Sequence, residues 1–202
     1  MRSVERTRDQ LLDIAVGMFA DKGFTSTSLR AIAKQAGVSP ALMIHHFGSK
    51  DELIKEAISK TIGRWVAEEK AVMLVDEQNQ VESWQAIMSK GSTPLAFFRQ
   101  VLLAGGDYSR RLFDAAVEES LQLLEMMSQS GRLKNVSDNK TTALMLAISG
   151  LGSVLMMDHI ERRLGGPMSS TEVATKLMNA NNEMLQEGIF EPSGAENKVE
   201  SR

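Results

Sequence analysis

Two short patterns of helical spacing lie on either side of one glycine near the start of the chain. Apolar residues recur every three or four positions over residues 29–36, and Gly37 then interrupts the pattern. Ser39 and Pro40 restart it, since they suit the N-cap and the first position of a helix that reaches about Phe47. Glycine readily takes the left-handed conformation of a tight turn. The spacing therefore predicts two short helices joined as a helix-turn-helix unit.

A longer helix precedes this unit and another follows it. The first helix is expected to stop at Gly23, and Thr27 is then expected to be the N-cap of the second. Ser49 is expected to cap a long helix that extends to about Met73. The first helix is predicted from a single apolar stripe, which consists of Leu11, Ile14, Ala15, Met18 and Phe19.

The rest of the chain also has helical patterns. Helices are predicted over residues 94–104, 107–130 and 141–157, and from a capping box at Ser169-x-x-Glu172 to Gly188. The run 141–157 has no charged residue, but at 1.5 Å per residue it spans only about 25 Å, which is less than the hydrocarbon core of a bilayer. It is therefore expected to be buried in protein and not in a membrane. The predicted fold class is all-α, with about nine helices.

Composition disfavours most kinds of enzyme, the main alternative class. The chain of 202 residues has no cysteine and 3 histidines, so no thiolate zinc site or cysteine nucleophile is possible. Neighbouring carboxylates such as Glu118 and Glu119 face about 100° apart on a helix and cannot converge. Asp158 does share a face with Glu161, but Arg162 is its expected ion-pair partner. We expect no catalytic residue, metal or cofactor. Because no signal-peptide pattern begins the chain, the expected location is the cytoplasm.

The segment from Gly23 to Ile54, GFTSTSLRAIAKQAGVSPALMIHHFGSKDELI, closely resembles the DNA-binding domain of the TetR/AcrR family of bacterial transcription regulators. The resemblance covers about the first quarter of the chain and includes LLDIAVGMFADKGF of the first helix. It implies a DNA-binding domain over residues 4–64 with its helix-turn-helix at about 28–47. A C-terminal effector-binding and dimerisation domain is expected over 65–190, and residues 191–202 are expected to be a disordered tail.

The resemblance also implies a function for the whole chain. The expected protein is a homodimeric repressor that binds a palindromic site in double-stranded DNA and is released by a small hydrophobic effector. A regulator controlled by a protein partner, or by no effector, is the alternative, and activators also occur in the family. No contact with a membrane is expected.

The resemblance assigns two kinds of DNA contact. His46, Lys50, the Thr27 hydroxyl and the first backbone N–H groups of the second helix are expected to bind phosphates, and the start of the third helix is expected to read bases. Many family members have a phosphate-binding tyrosine where this chain has Ile44. The residues expected to contact DNA are Thr27, Ser28, Arg30, Lys34, Ser39, Pro40, Ala41, Leu42, His45, His46 and Lys50. Arg2, Arg6 and Arg8 form either a minor-groove arm or a frayed, solvated terminus.

The resemblance implies two further sites in the C-terminal part. The predicted effector pocket is lined by Trp65, Trp84, Phe97, Phe98, Leu102, Tyr108, Phe113 and Met126. The predicted dimer interface contains Leu144, Ile148, Leu151, Leu155, Val173, Leu177 and Met184, where neighbouring small residues allow close approach of two backbones. Aromatic and methionine residues at helical spacing can equally be ordinary core, and the last two helices can equally pack inside one subunit.

Overall fold

The structure, a computed structural model, describes residues 2–73, 92–131, 133 and 136–184. Every regular element in these ranges is an α-helix, which confirms the predicted fold class. The polar segment 74–91 with Trp84, and the tail from residue 185, lie outside the described residues. The helices are α1 (Arg2–Ser26), α2 (Leu29–Ala36), α3 (Pro40–Phe47), α4 (Lys50–Met73), α5 (Ser92–Ala104), α6 (Gly106–Gln129), α7 (Asn139–Leu155), α8 (Met157–Leu164) and α9 (Thr171–Asn182).

The N-cap of α2 differs from the prediction by one residue. The helix breaks at Gly23 as expected, where φ is +73°. Thr27 is not the N-cap of α2, however, because its side chain is buried and its hydroxyl donates a hydrogen bond to the carbonyl oxygen of Gly23 at 2.8 Å. Ser28 takes that position, and its Oγ accepts from the backbone N–H of Ala31 at 3.1 Å. Thr27 was wrongly predicted as the N-cap of α2, because its side chain bonds to a carbonyl group of the preceding helix and not to an N–H group of α2.

The helix-turn-helix unit forms as the sequence predicts. Gly37 ends α2 in the left-handed conformation, with φ at +69°, and the N–H of Val38 reaches back to the carbonyl of Ala33 at 3.0 Å. Ala33 is fully buried, so its small side chain lets the two helices approach closely. Met43 and Phe47 are buried beneath α3 and fix its rotation about its own axis.

One continuous core joins the N-terminal helices to the rest of the chain. α1 packs most extensively against α5, so an element of the C-terminal half lies directly on the N-terminal half. Phe97 of α5 is fully buried there, with its ring centroid 6.4 Å from that of Phe19 and 5.9 Å from that of Phe24. Further along, α6 packs against both α4 and α7. A displacement of α5 or α6 therefore acts directly on α1 and α4.

The apolar run 141–157 forms one helix and the start of another. α7 ends at Leu155 and α8 begins at Met157, with a bend of 73° between them. No single helix within the described ranges is long and apolar enough to cross a membrane. Taken together, α7 and α8 have the length and apolar composition of a membrane span, but the bend divides them. Asp158 pairs with Arg99 of α5 at 2.8 Å and not with Arg162, because the bend turns α8 toward α5.

The last helix begins one residue later than the capping box predicts. Ser169 lies in a turn that is closed by a hydrogen bond from the N–H of Ser170 to the carbonyl of Pro167. Ser170 is therefore the N-cap of α9, and its Oγ accepts from the N–H of Val173 at 3.3 Å.

A valine at position 27 tests the observed role of the threonine hydroxyl. The substitution Thr27→Val keeps the size of the side chain but leaves the Gly23 carbonyl without its hydroxyl donor, so we expect it to lower the free energy of unfolding by about 1–3 kcal/mol. Thr27→Ser keeps the donor and should cost less. Urea denaturation of the two variants measures the difference, and a larger loss from serine than from valine would contradict this role.

Candidate nucleic-acid interface

α3 presents one face to solvent. The residues on that face are Pro40, Ala41, Ile44 and His45, whereas Leu42 and His46 are half-buried. The residues that the resemblance assigns to base reading are Ser39, Pro40, Ala41, Leu42 and His45. All of them are exposed except Leu42, which is partly covered. Because Met43 and Phe47 hold the opposite face in the core, this is the face that α3 can present to a groove.

The N-termini of α2 and α3 are both capped by serine. Ser28 Oγ accepts from the N–H of Ala31, and Ser39 Oγ accepts from the N–H of Leu42 at 3.2 Å. Each hydroxyl accepts in its cap and keeps its own hydrogen to donate. A helix N-terminus also carries partial positive charge that favours an anion. This geometry suits both serines to contact phosphate, and the exposed Arg30 and Lys34 of α2 lie on the same unit.

The predicted phosphate ligands differ in how the structure positions them. Lys50 is half-buried, and its Nζ donates to the carbonyl oxygen of Phe24 at 2.5 Å. An ammonium group has three N–H donors, so this bond leaves others to point outward. The Thr27 hydroxyl has its only hydrogen committed to Gly23, so the expected phosphate contact of this side chain is not supported. His46 packs near His45, with 5.6 Å between ring centroids.

Arg8 does not extend from the domain as an arm. Its guanidinium pairs with Glu56 at 2.7 Å and lies 5.4 Å from the ring centroid of Phe47. Neither alternative, a minor-groove arm or a frayed terminus, describes Arg8 in this structure, because α1 is already helical there and the side chain lies against α3 and α4. The side chains of Arg2 and Arg6 are outside the described residues.

Tyr108 and Phe97, two residues of the predicted effector pocket, lie at the junction of the two halves. The Tyr108 hydroxyl donates to Oδ1 of Asp51 at 2.5 Å, and its ring lies 5.7 Å from that of Phe24. Burial, and then the hydrogen bond to Asp51, raise the pKa of Tyr108 to about 12. Hydrogen bonds from Lys55 and Tyr108 hold the pKa of Asp51 below its ordinary value. α6 is thus bonded to the first turn of α4, next to Lys50.

A cleft of about 140 Å³ opens between α4, α6 and α7. Its lining is apolar except for Ser120 and Glu119, whose Oε2 is shielded from solvent. The described residues of the predicted pocket lie elsewhere: Trp65 stacks edge-on against buried Phe98, and Leu102, Phe113 and Met126 do not line this cleft. The lining residues are Ile62, Val66, Leu112, Ala116, Glu119, Ser120, Leu123, Leu146, Ala147, Gly150 and Leu151.

Apolar side chains remain exposed on α7 and after α9. Leu144, Ile148 and Met184 of the predicted interface are exposed, whereas Val173 is buried in the core of its own chain and Leu177 packs against that core. Leu151 and Leu155 are partly buried. Met145 and Met156, which are 59% and 48% exposed, were not predicted. Met145 is next to Leu144 and three residues before Ile148, a spacing that places all three on one face.

Two family models match the chain. The model described as "Bacterial regulatory proteins, tetR family" matches residues 11–57, and "Tetracyclin repressor-like, C-terminal domain" matches residues 92–191. The HTH-type transcriptional regulatory protein RaaS of Mycobacterium tuberculosis is 32% identical over 160 residues, which is 77% of this chain and 74% of the relative. These matches place both halves of the chain in one known architecture.

Other proteins match over a shorter segment or in fold alone. The HTH-type transcriptional repressor KstR2 of Mycolicibacterium smegmatis is 43% identical over 51 residues, or 25% of each chain. The structure of the transcriptional regulator FadR from Bacillus subtilis in complex with stearoyl-CoA aligns with a TM-score of 0.64 and 19% identity. That alignment covers 90% of this chain and 98% of the other.

The single tyrosine of the chain allows the junction to be tested by its absorbance. In a rapid pH jump read at 295 nm, tyrosinate should form with a midpoint of about 12, compared with the ordinary 10.0. The raised pKa means that the contribution of Tyr108 to stability is present below pH 10.0 and is lost as the pH rises toward about 12.

Asp51→Asn should move this midpoint part of the way back, because burial is the larger cause of the shift. Glu52→Gln, one residue along, is the matched control and should leave it nearly unchanged. A midpoint near 10 in the unaltered protein would refute the contact between Tyr108 and Asp51.

Proposed function

Because the chain belongs to the TetR family of bacterial transcriptional regulators, we propose that it is a homodimeric repressor of a palindromic operator, released by a small apolar effector. The exposed face of α3, held outward by buried Met43 and Phe47, is the observation that carries the proposal. Residues 4–64 then bind DNA, and residues 65–190 bind the effector and the second copy.

The proposed DNA contacts divide into two groups. Ser28, Arg30, Lys34, His46 and Lys50 bind phosphates and set the position of the protein on the duplex. The residues of the other group face base edges in the major groove, namely Ser39, Pro40, Ala41, Leu42 and His45. The capped N-termini of α2 and α3 support contact of both helices with DNA, because Ser28 and Ser39 are exposed and keep their hydroxyl hydrogens to donate.

A second copy of the chain is proposed to cover the exposed face of α7. Ala143 and Ala147 face the core of their own chain, whereas Leu144, Met145 and Ile148 on the opposite side stay exposed. An apolar face of this kind, within a run from 141 to 157 that has no charged residue, suits a protein interface. Two-fold pairing would give two α3 helices and hence a palindromic operator.

The cleft between α4, α6 and α7 is the proposed effector site. Its volume is close to that of a cavity that holds a benzene-sized molecule, so a larger effector must separate α6 from α7. α6 carries Leu112, Ala116 and Leu123 in the cleft and Tyr108 at the contact with Asp51. Movement of α6 would therefore act on α4 beside Lys50. An effector that favours the shifted state would lower the affinity for operator.

One relative and one structural neighbour support the proposed repression and the proposed apolar effector. KstR2 is named a transcriptional repressor, and the FadR structure contains stearoyl-CoA, an amphiphile with a long apolar chain. Control by a protein partner is the competing proposal. The apolar lining of the cleft favours a small ligand.

Selection of bound duplexes from a random DNA pool tests operator binding. The unaltered protein should enrich an inverted repeat, and a double substitution, His46→Ala with Lys50→Ala, should weaken binding to it. Loss of one lysine–phosphate contact in each half-site should reduce the slope of log K against log salt by about 1.8. Lys176→Ala, an exposed lysine of α9, is the matched control. No enrichment at low salt would refute the proposal.

A charge on α7 tests the proposed dimer. The unaltered protein should have twice the 22.2 kDa mass of one chain by light scattering. Ile148→Glu should give the single mass, because a buried carboxylate without a partner is costly. Leu103→Glu in α5, where the side chain is 64% exposed, should leave the dimer intact. Dimers of equal stability in both variants would contradict this interface.

Filling the cleft tests the effector site. The small uncharged fluorophore 1-aminonaphthalene should bind the unaltered protein saturably, and Ala116→Phe should abolish this binding by occupying the cleft. Ala67→Phe, on the exposed side of α4, is the control and should retain it. Equal binding by both variants would place the ligand elsewhere.

A further inference from the structure

The exposed face of α3 lacks the side chains that usually read guanine and adenine. Specific contacts to these bases come mainly from Arg, Lys, Asn and Gln, and none of these residue types occurs in Pro40–Phe47. His45 is the exposed polar side chain of the helix, while His46 is half-buried. An apolar side chain in the major groove can still distinguish bases, because thymine alone carries a C5-methyl group there.

Ile44 lies in the middle of this face. With 100° between successive residues, its side chain falls about 40° from Pro40 and about 60° from Ala41, with His45 beyond Ala41. Ile44 is 57% exposed, an unusual position for a large branched apolar side chain. It cannot turn inward, because Met43 and Phe47 already fill the core side of α3. A tyrosine hydroxyl at this position could reach a phosphate, but isoleucine has no hydrogen-bonding group.

We infer that Ile44, together with the methyl group of Ala41, determines operator specificity by contacting thymine C5-methyl groups in the major groove. The inference rests on the proposed operator binding and adds the chemical feature that is recognised. Each half-site should then contain thymine opposite the first turn and a half of α3. Phosphate contacts from α2 and Lys50 set the position of the protein, and the methyl contacts select the sequence.

Replacing thymine by deoxyuridine in the selected operator tests this recognition. The change removes the C5-methyl group and keeps Watson–Crick pairing. Fluorescence anisotropy should show a loss of affinity of about fourfold for each contacted methyl group, the factor expected from exposing one buried methylene-sized group. Symmetric replacement in both half-sites should give about fifteenfold. The effect should be confined to one or two thymine positions in each half-site.

Variant proteins separate the role of Ile44 from a general loss of binding. Ile44→Ala should have almost the same affinity for operators with thymine or deoxyuridine at the position that Ile44 contacts, because the contacting side chain is gone. Leu103→Ala removes an exposed side chain of similar size from α5 and should keep the full deoxyuridine penalty. Thermal unfolding should show that both variants are folded, since both side chains are exposed.

The outcomes distinguish this inference from the proposed function. If an operator is enriched but deoxyuridine changes its affinity by less than about 1.5-fold at every thymine, operator binding stands and methyl recognition is overturned. A penalty that persists unchanged in Ile44→Ala overturns the assignment to this residue. If no operator is enriched, the proposed function fails and this inference fails with it.

Discussion

The carbonyl groups at the end of α1 impose the constraint on which the N-terminal half depends. The last carbonyls of a helix have no partners within it, and here Gly23 breaks the helix and leaves them to be satisfied by side chains. Thr27 donates to the Gly23 carbonyl and Lys50 to the Phe24 carbonyl, so the starts of α2 and α4 are bonded to one helix end. The ring of Phe24 contacts Phe97 and Tyr108 from the other half. The placement of the DNA-binding helices and the junction between the two halves thus have a common origin.

Much of the fold could be predicted from the sequence because helices form from local patterns. The apolar stripe of α1, the glycine turn at Gly37 and the long α4 all depend on residues close in sequence. Prediction failed by one residue at Thr27 and Ser169, since either of two adjacent hydroxyls can cap a helix. Which one does so depends on where the preceding carbonyls lie.

The sites were harder to predict than the helices. Phe97 and Tyr108 were expected to line an effector pocket, and the structure places them at the junction of the two halves, where neither lines the cleft between α4, α6 and α7. Periodicity identifies an apolar face of a helix, but it does not show whether the same chain, a second chain or a ligand packs against that face. For the same reason Val173 was assigned to an interface although its own chain buries it, while exposed Met145 was overlooked.

The two faces of α7 have a consequence for the amount of active regulator in a cell. One face completes the core of the subunit, and the other leaves large apolar side chains exposed on the single chain. If pairing covers them, each tenfold dilution of the chain weakens the assembled state by about 1.4 kcal/mol. A regulator made in few copies is present at low concentration, where such a dimer is least stable. Its effective dose at the operator would then be governed by the affinity of one subunit for another as much as by the affinity for DNA.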